Sequence, residues 1–212
     1  MRFCEVSASG KMPLEIDAAG FDNKLSMTDK NIEHTENFIS KGVTEFNLSG
    51  FIVPHGYKLL RSRSQDQYRL VTDGSVPETV YAVKLSFLDN IIPARKTCTQ
   101  IMVWRTIQPQ HEHAVHGLPQ KFFRYFLSVY SIVVSDSEQT KEGRRFWERM
   151  IAWAMKENGY QVYVSDGTKE ERPITLMTSW DDFYGVWAQF CWGSDKDCHP
   201  HRLLVISSET LH

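Results

Sequence analysis

The sequence predicts a mixed α/β protein: a sheet that opens as an antiparallel meander, continues in strand–helix–strand units and carries helices on its faces. Three observations predict it. Residues 67–106 hold three long runs with β-branched and aromatic alternation and short links. Residues 118–165 then read helix, strand, helix, strand. The short run Ile132-Val-Val134 is unbroken by polar residues, as in a strand covered on both faces.

Taken in order, residues 1–55 read as an irregular N-terminal segment rich in polar and turn residues. Its apolar patches, Phe38-Ile39 and Phe46-Asn-Leu48, suit small helices or edge strands. Residues 56–212 form the α/β domain, with a C-terminal helix–strand extension from about residue 172. Phe51-Ile-Val53 reads as a short strand stopped by Pro54. Gln67–Val71 and Thr79–Phe87 read as paired strands joined by the Gly- and Pro-containing stretch Thr72–Pro77. In the second run, Tyr81, Val83, Leu85 and Phe87 form the expected core face. Thr97–Thr106 is the third strand of the meander.

The period then changes to helical. Gly117-Leu-Pro119 leads into residues 120–130, where Phe122, Phe126 and Tyr130 recur at spacing four. Proline in the first turn forfeits no bond, because that N–H has no partner there. After the strand at 131–136, Asp136, Ser137 or Thr140 is placed to cap a helix whose apolar stripe is Phe146, Trp147, Met150, Ile151, Ala154 and Met155. Asn158-Gly159 ends it. Strands follow at 160–165 and 173–177. Ser179-Trp-Asp-Asp182 is a variant capping box before Phe183, Tyr184, Trp187, Phe190 and Cys191. Leu203–Ser207 is the last strand. Successive strand–helix–strand units predict parallel pairing, and a ligand is expected where the pairing changes sense, in the loop from Gln108 to Gly117.

Composition bounds function. The 212 residues carry a formal charge of −2, with no basic excess for nucleic acid. No run approaches the roughly 18 apolar residues of a membrane span. Four scattered cysteines (Cys4, Cys98, Cys191, Cys198) fit reduced thiols and a cytoplasmic setting.

The order meander, helix, strand, helix, strands over about 67–165, with Gly143-Arg-Arg-Phe-Trp-Glu-Arg-Met150, resembles the GNAT-type N-acetyltransferase fold. Residues 135–148 and Ser179–Phe183 are similar to small GNAT-related proteins of tailed phages. The resemblance implies an acetyl-CoA site at the loop after the third meander strand. Arg105, Gln108, Gln110 and Gly117 would then bind cofactor, Glu112 would serve as base, and Tyr130 or Tyr160 as acid. The chain departs from that family at two places. The loop Gln108-Pro-Gln-His-Glu-His-Ala-Val-His-Gly117 has one glycine and no glycine pair, and the position matching the family's acidic tyrosine holds Phe146 or Trp147. The reading that follows is a phage-type cytoplasmic accessory protein. It keeps a degenerate scaffold as a non-catalytic platform, without cofactor, for a protein partner such as a host factor. The alternative is an acyl-CoA-dependent N-acyltransferase with an atypical pyrophosphate loop.

Two clusters and one surface complete the candidates. His111, His113 and His116 would supply three nitrogens for a metal if the segment were extended, making a histidine-ligated metal enzyme the third reading. Cys191, Cys198, His199 and His201 form a second, weaker metal-type group. Trp153 falls beside Arg149 and Lys156 on the polar side of its helix, which makes Trp153 and Arg149 the candidate partner contacts.

Overall fold

The computed structural model describes residues 25–92, 95–134, 141–167, 169–188, 191 and 202–212. These contain nine strands and five α-helices. The chain forms two compact units, one of residues 25–86 with Ile101–Tyr125, the other of Phe87–Gln100 with Phe126–His212. The third helix and two long strands contribute residues to both units.

The first unit is a sheet with a helix on each face. Its strands are β1 (Val43–Glu45), β2 (Tyr57–Ser62), β3 (Gln67–Thr72) and the first part of β4 (Thr79–Ile92), each antiparallel to the next, followed by the second half of β5 (Arg95–Arg105). Register decides which helix meets which side chain. Leu70 pairs with Tyr81 and Tyr68 with Val83, so these four share one face. Phe122, on the helix we label α3 (Leu118–Val129), stacks on Tyr81 at 5.7 Å and meets Tyr68 at 5.4 Å between ring centroids. Phe46 closes this cluster against Tyr68, Phe122 and Tyr125.

The other face belongs to α1 (Thr28–Ser40), within the stretch expected to be irregular. Phe38 packs with Leu60 and Val71, and Leu25 with Ala82 and Trp104. The sequence signal failed for a physical reason: two of the helix's three buried residues, Asn31 and Thr35, are polar, so no apolar stripe shows. They are buried because they replace a strand. A bulge opposite Leu70/Val71 sets Thr79 opposite Val71. Asn31 donates to the Thr79 carbonyl (2.9 Å) and accepts from the Thr79 N–H (2.8 Å), while the Thr35 hydroxyl lies 2.7 Å from that of Thr79. Two covered faces also correct the one-sided reading of β4, since Val80 and Ala82 are as buried as Tyr81 and Val83.

Arg69 lies in this seam, 2 % exposed. Its guanidinium donates to Thr79 Oγ1 (3.2 Å) and the His34 carbonyl (3.4 Å), covers the Phe38 ring at 4.3 Å, and meets the Gln67 side-chain oxygen at 3.0 and 3.2 Å once that amide is oriented to accept. Burial lowers its pKa to about 10.

In the second unit the strand order is β4, β5, β6 (Ser131–Val134), β9 (Arg202–Ser207), β7 (Gln161–Asp166), β8 (Ile174–Leu176). β5 and β6 are parallel, with Thr97 opposite Ser131 and Cys98 opposite Ile132. The expected parallel neighbours β6 and β7 are not adjacent. β9 enters between them, antiparallel to both. The last strand is therefore central and not an appended edge. The reason is its composition: Leu203, Leu204, Val205 and Ile206 are all 0 % exposed, and an apolar run of that kind needs cover on both faces.

Tyr163, Leu203, Val205, Leu211 and Ile92 make one core cluster. α4 (Lys141–Lys156) buries Trp147, Met150, Ile151 and Ala154, much of the expected stripe. Gly159 follows it at φ +99°, a left-handed conformation that suits glycine. Ser179 caps the next helix as expected, with Asp182 N–H donating to Ser179 Oγ (3.0 Å) before α5 (Trp180–Asp182) and the π-helical turn Phe183–Trp187, while the Asp182 carboxylate accepts from the Thr178 N–H (3.5 Å). Residues 51–53, expected as a short strand, are irregular, and β2 begins after Gly56. No helix among the described residues is long and apolar enough to cross a membrane.

Candidate binding surface after strand β5

β5 ends at Arg105, whose side chain is exposed. The chain then turns through a 3-10 turn, Pro109–His111, and one helical turn, α2 (Glu112–Val115), before α3 begins. The sequence predicts a loop here; proline in the first turn and local acceptors fold much of it into helical turns. Thr106 Oγ1 accepts from the Gln108 N–H (3.2 Å), the Gln108 carbonyl from the His111 N–H (3.1 Å), and the Pro109 carbonyl from the Glu112 N–H. Gln110 Nε2 donates to Gln108 Oε1 at 2.6 Å.

The amides at Gln108, His111 and Glu112 are therefore engaged within the loop. A pyrophosphate cradle needs such N–H groups aimed outward at the ligand. Gly117 sits at φ +68°, and a Cβ built there meets nothing within 4 Å. This glycine serves the backbone turn, whose positive φ an L side chain would strain. In this conformation the Gln108, His111 and Glu112 N–H groups are turned inward, and the Arg105 and Gln110 side chains are exposed.

Two anchors hold the segment. Ala114 and Val115 are buried, and Tyr57 on β2 reaches His111, its hydroxyl 2.8 Å from Nδ1. The Tyr57 ring meets His111 at 5.9 Å and His113 at 5.8 Å, both edge-on. Burial raises the Tyr57 pKa, so the phenol is neutral at physiological pH. Sequence reasoning missed Tyr57, which lies 54 residues from its partner on a strand that had no recognised signal.

The anchors leave the remaining side chains outside. Gln110, Glu112, His113 and His116 are exposed, and Ile107 is 96 % exposed. Among the described residues, which include His111, His113 and His116, no group of three or more His, Cys, Asp or Glu side chains is arranged to hold a metal ion. The helical backbone removes the shared face that the three-histidine reading required. Cys198, His199 and His201 lie outside the described residues; Cys191 is buried and not in a disulfide.

The other candidates belong to the second unit. Tyr130 is half-buried, edge-on to Phe87 at 4.6 Å. Tyr160 is half-buried against Trp153, with centroids 4.9 Å apart. Trp153, a candidate partner contact, is half-buried with one side on Tyr160, and Arg149 is exposed. Phe146 meets Trp147 edge-on at 5.4 Å.

No protein-family model matches this chain, and no curated protein or solved structure matches it.

Proposed function

We propose that this protein is a non-catalytic protein-binding platform on a degenerate N-acetyltransferase-like scaffold, and that residues 105–116 form a contact surface for its partner. The observation that carries this reading is the state of that loop. Three of its amides, those of Gln108, His111 and Glu112, bond within the loop, while Ile107 stands 96 % exposed among exposed polar side chains. A segment fixed before binding loses little conformational entropy on association. An apolar side chain held in water gains by being covered, at about 25 cal/mol per Å².

The test is affinity capture from cell lysate with wild type and Ile107→Asp. A partner held by wild type and released by Ile107→Asp supports the reading. Equal retention by the variant, or no reproducible partner, refutes it.

One observation favours the acyltransferase alternative. The meander strand β5 and the next strand β6 lie side by side and parallel, as that scaffold requires. Acetyl-CoA decides between the two. A ligand at 100 times its Kd stabilises the native state by about 2.7 kcal/mol, a Tm rise of about 5–10 °C for a chain of this size. A rise of that size would establish the alternative; none at millimolar acetyl-CoA would remove it.

A further inference from the structure

The second unit carries a surface that the platform reading does not use. β8 is the terminal strand of its sheet among the described residues. The phase of its hydrogen bonds is fixed on both sides: Met177 N–H donates to the Val162 carbonyl (2.8 Å), and the Pro173 carbonyl accepts from Asp166 N–H (3.1 Å). Residues 173, 175 and 177 therefore turn their backbone groups toward β7. By alternation, the N–H and C=O of Ile174 and Leu176 point away from the sheet. Exposed strand edges are commonly guarded by a lysine or proline within the strand; Ile174-Thr-Leu176 has neither.

The surroundings say what would fit. Ile174 and Leu176 lie on one face of the strand; Ile174 packs on the core while Leu176 is 45 % exposed. The chain continues into Trp180, which stacks on buried Phe183 at 5.1 Å and meets Tyr184 edge-on at 5.1 Å. Tyr184 and Val186 are 51 % and 60 % exposed. Charge on both flanks is acidic. Glu170, Glu171 and Asp181 are exposed, and Asp182 is half-exposed. Between Asp166 and Asp182 the cations among the described residues are Lys169, which is paired with Asp166 at 3.6 Å, and Arg172, against the carboxylates of Glu170, Glu171, Asp181 and Asp182.

The geometry points to β8 as a docking edge for a basic extended segment of another protein, added to the sheet as a further strand. Main-chain bonds to Ile174 and Leu176 would fix its register. Its alternate aliphatic side chains would cover Leu176, and its lysines or arginines would meet the carboxylates on the flanks. The proposal uses none of residues 105–116, so the two proposals stand or fall independently.

The experiment uses fluorescence anisotropy with the full chain and two labelled ten-residue peptides, one alternating lysine and valine, the other glutamate and valine. The basic peptide is expected to bind, at least tenfold more weakly in 300 mM than in 20 mM salt; the acidic peptide is not. Leu176→Pro removes one outward N–H and leaves the bonds of Thr175 and Met177 to β7, and it should abolish binding with the circular dichroism spectrum unchanged. The double variant Glu170→Lys/Glu171→Lys keeps the edge open and should weaken binding at least tenfold. Equal affinity for both peptides, binding by neither, or full binding by Leu176→Pro overturns the proposal. So does a wild-type dimer in sedimentation that Leu176→Pro dissociates, because the occupant would then be a second copy of this chain.

Discussion

Tyr81→Phe is expected to stabilise this protein, contrary to the usual effect of deleting a buried hydroxyl. The Tyr81 side chain is 0 % exposed, and its hydroxyl has no hydrogen-bond partner among the described residues. An unsatisfied buried polar group costs about 1–3 kcal/mol. Removing the oxygen leaves a void smaller than a methyl, worth under about 1 kcal/mol. The ring keeps its stack on Phe122. The net expectation is a gain of about 1 kcal/mol, read as a higher urea midpoint at unchanged slope and a Tm rise of about 2–4 °C. Burial also raises the phenol's pKa well above 10. Above pH 10 the unfolded chain gives up this proton and the folded chain keeps it. Stability is therefore intact below pH 10 and falls by about 1.4 kcal/mol per pH unit above it. The variant lacks this loss, so its advantage over wild type widens between pH 10 and 11. A variant less stable than wild type at pH 7, or a gap that stays constant into alkali, would refute the reasoning and place a hydrogen-bonded partner, such as a buried water, at the hydroxyl.

Asn31→Ala removes the side chain that serves the Leu25 carbonyl and both backbone groups of Thr79; a loss of about 3 kcal/mol is expected in urea unfolding, with faster hydrogen exchange across Thr28–Ser40. Gly159→Ala keeps ample space but forces a side chain to φ +99°, and should lower stability by about 1–2 kcal/mol. Tyr57→Phe frees His111 from its hydroxyl; a loss of about 1 kcal/mol and quicker proteolysis within residues 108–116, with the sheet unaffected, is the expected outcome.

Where the sequence could be read, local periodicity and burial agreed. α3 and α4 carry their apolar residues at helical spacing because each presents one face to a sheet, and both form where the spacing places them. The long runs of the meander likewise alternate or stay apolar as β3, β4 and β5 require. α1 was illegible because its contact with the sheet is made by Asn31 and Thr35, which look like surface residues until Thr79 is seen beneath them. The candidate loop was legible as a place and not as a shape. Position followed from the order of elements, but its helical turns depend on Thr106, Gln108 and Pro109 as local acceptors, and its anchoring depends on Tyr57.

The sequence by itself determined the α/β class, the meander, the two amphipathic helices and the capped turn at Ser179, because each depends on neighbours within a few residues. Tertiary structure alone decided that β9 lies between β6 and β7, that Trp153 packs on Tyr160, that Arg69 is buried among neutral acceptors and that β8 is the terminal strand among the described residues. Those outcomes turn on which distant segments compete for the same hydrogen-bonding edge or apolar face, and the winner of that competition leaves no periodic mark in the chain.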